Sequence, residues 1–179
     1  MTNAWTKVAV LAGLMAVMLF GGVGCTSKPR LGNYTITLEV ENQFASTFAN
    51  VPLQVDLVGL TEEQKVQWAA SGTPAEYFAA GGARRAQTSE CRRTYNFDKS
   101  NTGMTTLKRN DPIWATWNKG QVRHLAVMSY SLAMKPSASE DSRKLIIPLT
   151  TDCFKDGETI KLVAGASGVI CVTPQIPKN

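Results

Sequence analysis

Few residues in this chain are equipped for chemistry. His124 is the single histidine among 179 residues, which excludes any metal centre or proton relay built on two imidazoles. The four cysteines, Cys25, Cys91, Cys153 and Cys171, form no Cys-x-x-Cys pair, and His-Glu-x-x-His is absent, so zinc-ligand spacing is missing. Gly165-Ala166-Ser167-Gly168 has the residue types of a nucleophile turn but neither its spacing nor its strand–turn–helix setting. Glu62 and Glu63 are adjacent acids. Sequence neighbours on a helix do not face each other, so they suit the first turn of a helix better than acid–base work. His124, within Val122-Arg123-His124-Leu125, reads as a core or edge histidine of a strand, and nothing couples it to Cys91 or Cys153 as a nucleophile pair. The expectation is a protein that is not an enzyme and needs no metal or cofactor.

The other distinctive side chains suit binding. Trp114 and Trp117 follow Asp111-Pro112. On a strand over 112–117 they point to opposite faces, one into the core and the other free to stack on a sugar ring. Phe44 and Phe48 stand in a mostly polar connection. They either fold back onto the domain or form an exposed apolar loop of the kind that marks a protein contact. Arg84, Arg85, Arg92 and Arg93 make the densest basic stretch, either a solvated face or a patch for anionic lipid or an acidic partner.

The chain that must position these groups is 44% hydrophobic and 18% charged, with a formal net charge of +5. It is too apolar for disorder, suits one domain, and its mild charge gives no reason to expect nucleic acid. The start is set apart: Lys7 is followed by sixteen residues, Val8 to Val23, without a polar side chain. As a helix this run spans ~24 Å, short of the ~30 Å hydrocarbon core of a membrane. A basic start, a short apolar run and small residues at its end describe a secretory signal peptide over 1–24, with an uncleaved anchor helix as the competing reading. Val23-Gly24-Cys25 is similar to the lipobox of bacterial lipoproteins, with Gly22 in place of the usual leucine. That resemblance implies diacylglycerol on the Cys25 sulfur, cleavage before it and acylation of the new amino terminus. Acyl chains give ~0.8 kcal/mol per buried CH₂ and would anchor the protein to a membrane. By the same resemblance, Thr26 rather than aspartate implies the outer membrane, facing the periplasm, if the source is Gram-negative. Residues 25–33 then serve as a lipidated tether. Export places Cys91, Cys153 and Cys171 where a disulfide can form. Three pairings are open; Cys171, inside an apolar strand, reads as the buried thiol, which favours Cys91 with Cys153.

Residues 34–179 read as one domain. Tyr34, Ile36, Leu38 and Val40 alternate with polar residues, as do Val51, Leu53, Val55 and Leu57 over 51–58, and a period of two marks half-buried strands. Thr61-Glu62-Glu63-Gln64 is a capping box opening a helix to Ala70, and Thr73-Pro74 opens a second that ends at Gly81-Gly82. Further strands are expected over 92–97, 112–117, 122–132 (buried on both faces), 144–149, 159–164 and 169–173. The last two are joined by the four residues 165–168. Short strands with helices confined to one insertion make a mostly β fold, an immunoglobulin-like β-sandwich.

Taken with Cys25, the strands at 34–40 and 51–58, the helical stretch ending Ala75-Glu76-Tyr77-Phe78 and the strands at 122–132 and 144–149 give a layout that resembles the type VI secretion outer-membrane lipoproteins (TssJ-like). The likeness covers about half of the chain and leaves out 83–121. It implies a docking or assembly component of an envelope complex whose loop between the first two strands contacts a protein partner of the inner membrane. By position alone, Phe44 and Phe48 become the interface candidates. The alternatives are a module that binds cell-wall glycan through Trp114 or Trp117, and a purely structural envelope lipoprotein.

Overall fold

The computed structural model describes residues 29–46, 51–101, 103–135 and 141–177. The alternating segments become two four-stranded sheets. β1 (Thr35–Val40), β4 (Met104–Leu107), β7 (Thr159–Gly165) and β8 (Gly168–Cys171) form one, in the order β4-β1-β7-β8. β2 (Leu53–Leu60), β3 (Arg92–Phe97), β5 (His124–Tyr130) and β6 (Lys144–Pro148) form the other, in the order β3-β2-β5-β6. β1 runs parallel to β7, and the other ladders are antiparallel. Inward-facing Ile36, Leu38, Leu53, Val55, Leu125, Val127, Ile160 and Leu162 meet in one core between the sheets, the β-sandwich that alternation predicts.

Short helices complete the fold: α1 (Asn42–Ala45), α2 (Glu62–Ala70), α3 (Pro74–Phe78), α4 (Ala83–Gln87) and α5 (Ile113–Lys119). Both capping boxes form, at Thr61 with Gln64 and at Thr73 with Glu76. α3 stops at Phe78, short of Gly81-Gly82, because Ala79 turns to extended ψ. Trp68 of α2 and Tyr77 of α3 cover Val58, Leu60, Ala126 and Met128 on the outer face of the second sheet. This extra layer makes β2 and β5 buried on both faces. The first sheet keeps an alternating, polar outer face of Thr35, Thr37, Glu39 and Lys161.

Three expectations are corrected. Residues 112–117 are not a strand; most of them form α5. Asp111 starts the helix, its carboxylate accepting from the Ile113 N–H at 2.9 Å and its carbonyl from the Trp114 N–H at 3.1 Å, while Pro112 supplies a helical φ. The β7–β8 connection is two residues, Ala166-Ser167, because Gly165 and Gly168 pair, with Gly168 at φ +150° where a side chain is disfavoured. The end of the expected tether is docked on the domain. The Arg30 carbonyl accepts from the Thr151 N–H at 3.1 Å, and the Gly32 N–H donates to the Leu149 carbonyl at 3.0 Å. The Asn33 N–H donates to the Asp156 carboxylate at 2.8 Å. Cys25 and the signal segment lie outside the described residues.

Candidate functional site

The strand registers give the sandwich two unlike ends. Residues 29–34 approach at one end, which also holds the start of α2, α5 and the β6–β7 connection. The opposite end carries residues 41–46, 51–52, 98–101, 103, 131–135, 141–143 and 166–167. There the Met134 N–H donates to the Ser131 carbonyl at 3.1 Å and the Ala133 N–H to Ser131 Oγ at 3.3 Å, closing a turn. Met134 folds into the core, and Leu132 at the tip is left 78% exposed. The Lys135 N–H donates to the Ala166 carbonyl at 2.9 Å, tying this loop to the β7–β8 turn. Met104, at the first position of β4 on the same end, is 62% exposed. The mostly apolar stretch over 122–132 conceals Leu132, since the turn closed by Ser131 is what lifts it away from its buried neighbours.

Phe44 belongs to this end but not to its surface. The Glu41 carbonyl accepts from the Phe44 N–H at 2.9 Å and the Ala45 N–H at 2.8 Å, and the single turn of α1 so formed rolls Phe44 into the shared core. As an interface residue Phe44 is therefore corrected to a core residue. Phe48 lies outside the described residues.

Trp114 and Trp117 are three positions apart on α5 and so share one face. Their rings meet edge to face at 4.9 Å. Trp117 is wholly buried and Trp114 is 8% exposed. The indole N–H groups donate to the carbonyls of Lys108 (from Trp114, 3.0 Å) and Cys91 (from Trp117, 2.9 Å). Neither ring offers a face to a sugar, which removes both from glycan stacking. Cys91, Cys153 and Cys171 are free thiols, so the expected Cys91–Cys153 bridge is not formed. Cys91 ends a 3₁₀ turn beneath Trp117, whereas Cys153 is buried in the β6–β7 connection. Burial pushes the Cys91 and Cys171 thiols up, away from the thiolate form.

The basic stretch is half-buried, and its side chains have partners within the domain. Asp56 of β2 is fully buried and accepts from Tyr77 Oη at 3.1 Å, Thr94 Oγ1 at 2.6 Å and Arg85 Nε at 2.9 Å, with Arg92 Nε 3.6 Å away. Arg93 pairs with Asp111 at 2.7 Å. Arg84 donates to the Ser71 carbonyl at 2.6 Å and lies over the Trp68 ring. His124 Nε2 stands 2.6 Å from Glu62 Oε2 and so pins the first turn of α2 to β5. His124 and Cys153 line one groove, but the imidazole is held by Glu62. No group of three or more His, Cys, Asp or Glu side chains placed to hold a metal ion occurs among the described residues.

These pairs make stability depend on pH. Hydrogen bonds from His124, Arg93 and Arg143 hold Glu62, Asp111 and Asp141, respectively, below the usual carboxylate range. A carboxylate whose pKa falls on folding stabilises the native state above its unfolded pKa, and that contribution is lost as acid protonates the folded form. Stability should be level with respect to these groups above about pH 5 and fall progressively below about pH 4. Urea midpoints across pH 7 to 3 test this. Asp141→Asn should flatten the acid limb, and an unchanged limb would show that the Asp141–Arg143 pair contributes nothing.

No protein-family profile matches the sequence, and no curated protein sequence matches it. Solved structures do match the fold. Lip, a membrane-bound component of the type VI secretion system of Serratia marcescens, is 12% identical with a TM-score of 0.52, over 79% of this chain and 98% of that one. A chain of a type VI membrane complex is 8% identical with a TM-score of 0.50, over 78% and 98%. The type VI secretion lipoprotein TssJ1 of Pseudomonas aeruginosa is 11% identical with a TM-score of 0.49, over 84% and 99%. At such identities the likeness is one of architecture. The resemblance expected from the sequence is met at that level: the chain has the β-sandwich fold of a type VI secretion membrane component.

Proposed function

We propose that this chain is a lipoprotein of a bacterial envelope that docks a protein partner within a membrane-associated assembly, with Cys25 as its anchor and the Leu132 end of the sandwich as its contact surface. The observation that carries the reading is the placement of the N-terminal approach and the exposed Leu132 at opposite ends of the domain. Residues 30–33 are hydrogen-bonded to the body, so four residues separate Cys25 from it. At ~3.5 Å per residue they reach ~15 Å. Acyl chains on Cys25 hold that end close to the membrane and turn the other end outward. The fold shared with a membrane-bound secretion component supports the same role, which calls for contact rather than catalysis.

Two substitutions test it. Leu132→Asp, at an exposed turn tip, should leave urea unfolding unchanged and cut co-purification of envelope proteins from detergent extracts at least tenfold. Cys25→Ser should move the exported protein out of the membrane fraction. Undiminished capture by Leu132→Asp removes the contact surface, and membrane retention of Cys25→Ser removes the anchor.

A further inference from the structure

We infer that the cleft between α3 and α4 is a second docking site, one that takes a carboxylate side chain from a protein partner, with Arg85 and Arg92 as the groups that recognise it. The cleft measures about 410 Å³ and is walled by Phe78 and the alanines and glycines of residues 79–82. No acidic side chain lines it. The inference stands apart from the anchor at Cys25 and from the contact at Leu132.

The charge balance around Asp56 leaves the site unfinished. A carboxylate has about four acceptor positions. Tyr77 and Thr94 take one each, and Arg85 donates twice, from Nε at 2.9 Å and Nη2 at 3.5 Å. One buried negative charge thus faces two guanidiniums, and a positive charge is left over. Arg92 donates through Nη1 to the Arg85 carbonyl at 2.6 Å. Each guanidinium carries five N–H donors in a planar fork, so the pair has more donors than these acceptors can use. Both side chains line the cleft and are partly exposed, Arg85 at 26% and Arg92 at 20%.

The fork is also held in place. Arg85 is fixed by Asp56 on one side and by the Phe78 ring, 4.8 Å below its guanidinium, on the other. A donor set ordered before binding loses little freedom when an anion arrives. Small side chains at residues 79–82 let a carboxylate reach the base of the cleft. A flat lipid surface cannot reach guanidiniums that are mostly covered, whereas a projecting aspartate or glutamate can.

The exported protein, labelled with ¹⁵N-arginine and held in detergent micelles, tests this by titration with acetyl-Gly-Asp-Glu-Gly-amide. Saturable shifts of the Arg85 and Arg92 Nε–H signals are expected, with none from acetyl-Gly-Asn-Gln-Gly-amide. Ala80 is exposed on the rim, so substitution there spares the fold. Ala80→Glu should place a carboxylate of its own in the cleft and weaken peptide binding at least tenfold more than Ala80→Gln, which crowds the cleft to the same extent without a charge. The absence of shifts, equal shifts from the amide peptide, or equal losses in both Ala80 variants overturns the proposal. Inorganic phosphate binding as tightly as the acidic peptide, or phosphatidylglycerol vesicles competing for the same signals, overturns the assignment to a protein partner.

Discussion

Asp56→Ala should destabilise the protein by about 3 kcal/mol or more, the size expected when one member of a buried ion pair is removed and its partners are stranded. Asp56 has no contact with water, and its two oxygens hold Tyr77, Thr94 and Arg85 together. Those three side chains come from α3, β3 and α4. One carboxylate therefore fastens the helical layer to the second sheet. Without it, Arg85 and Arg92 remain near one another with no counter-charge, and the Tyr77 hydroxyl keeps only Thr88 and Arg92 nearby. Partial exposure of the two arginines lets water relieve some of the loss, which places the effect toward the lower end of the usual ~3–5 kcal/mol. Urea unfolding followed by circular dichroism measures it. Asp56→Asn, which keeps shape and some hydrogen bonding but not charge, should fall between the wild type and Asp56→Ala. A loss below about 1 kcal/mol for Asp56→Ala would mean that the helical layer is held by Trp68 and Tyr77 packing alone, as an ordinary surface pair contributes.

Asp56 also marks where sequence reading reaches its limit. In β2 it occupies a position that alternation assigns to the solvent side, and the strand itself is read correctly because Leu53, Val55 and Leu57 keep the period. Period shows which residues share a face. It does not show whether a second layer will cover the other one. The same missing information explains the basic stretch: Arg85 and Arg92 read as a solvated face or a patch for an anionic lipid or acidic partner, and their pairing with buried Asp56 is seen only in the fold. β1, the capping boxes at Thr61 and Thr73, and the doubly buried β5 were legible because their signals are local or strongly periodic. The region 112–117 was not, since Ile113, Trp114 and Trp117 fit either a strand or one helix face, and the Asp111 side chain decides for the helix. The candidate contact residues were the least legible of all. Phe44 is conspicuous in a polar connection and yet buried, while Leu132 is inconspicuous in an apolar run and yet exposed. Both outcomes depend on single turns whose hydrogen bonds have no distinctive composition.

Trp117→Ala should cost about 3–5 kcal/mol, the range for deleting a large buried aromatic side chain. The ring sits wholly inside the core, edge to face with Trp114, and its N–H satisfies the Cys91 carbonyl at 2.9 Å. Trp117→Phe keeps most of the packing but strands that carbonyl, so its smaller loss isolates the hydrogen bond. The ring also explains a glycine. A Cβ built on Gly59 of β2 would stand 2.6 Å from Trp117 Cδ1 and Nε1, closer than real contacts allow. The indole cannot swing aside in a packed core, so Gly59→Ala should cost about 1–3 kcal/mol through overpacking. The two losses should not add. Once Trp117 is alanine, the atoms that a methyl group at position 59 would strike are gone. In that background Gly59→Ala should become nearly neutral, giving a coupling of about 1–3 kcal/mol in a double-mutant cycle. Additive losses would place the strain of Gly59→Ala in the β2 backbone, and the contact between α5 and β2 would then not be what requires glycine there.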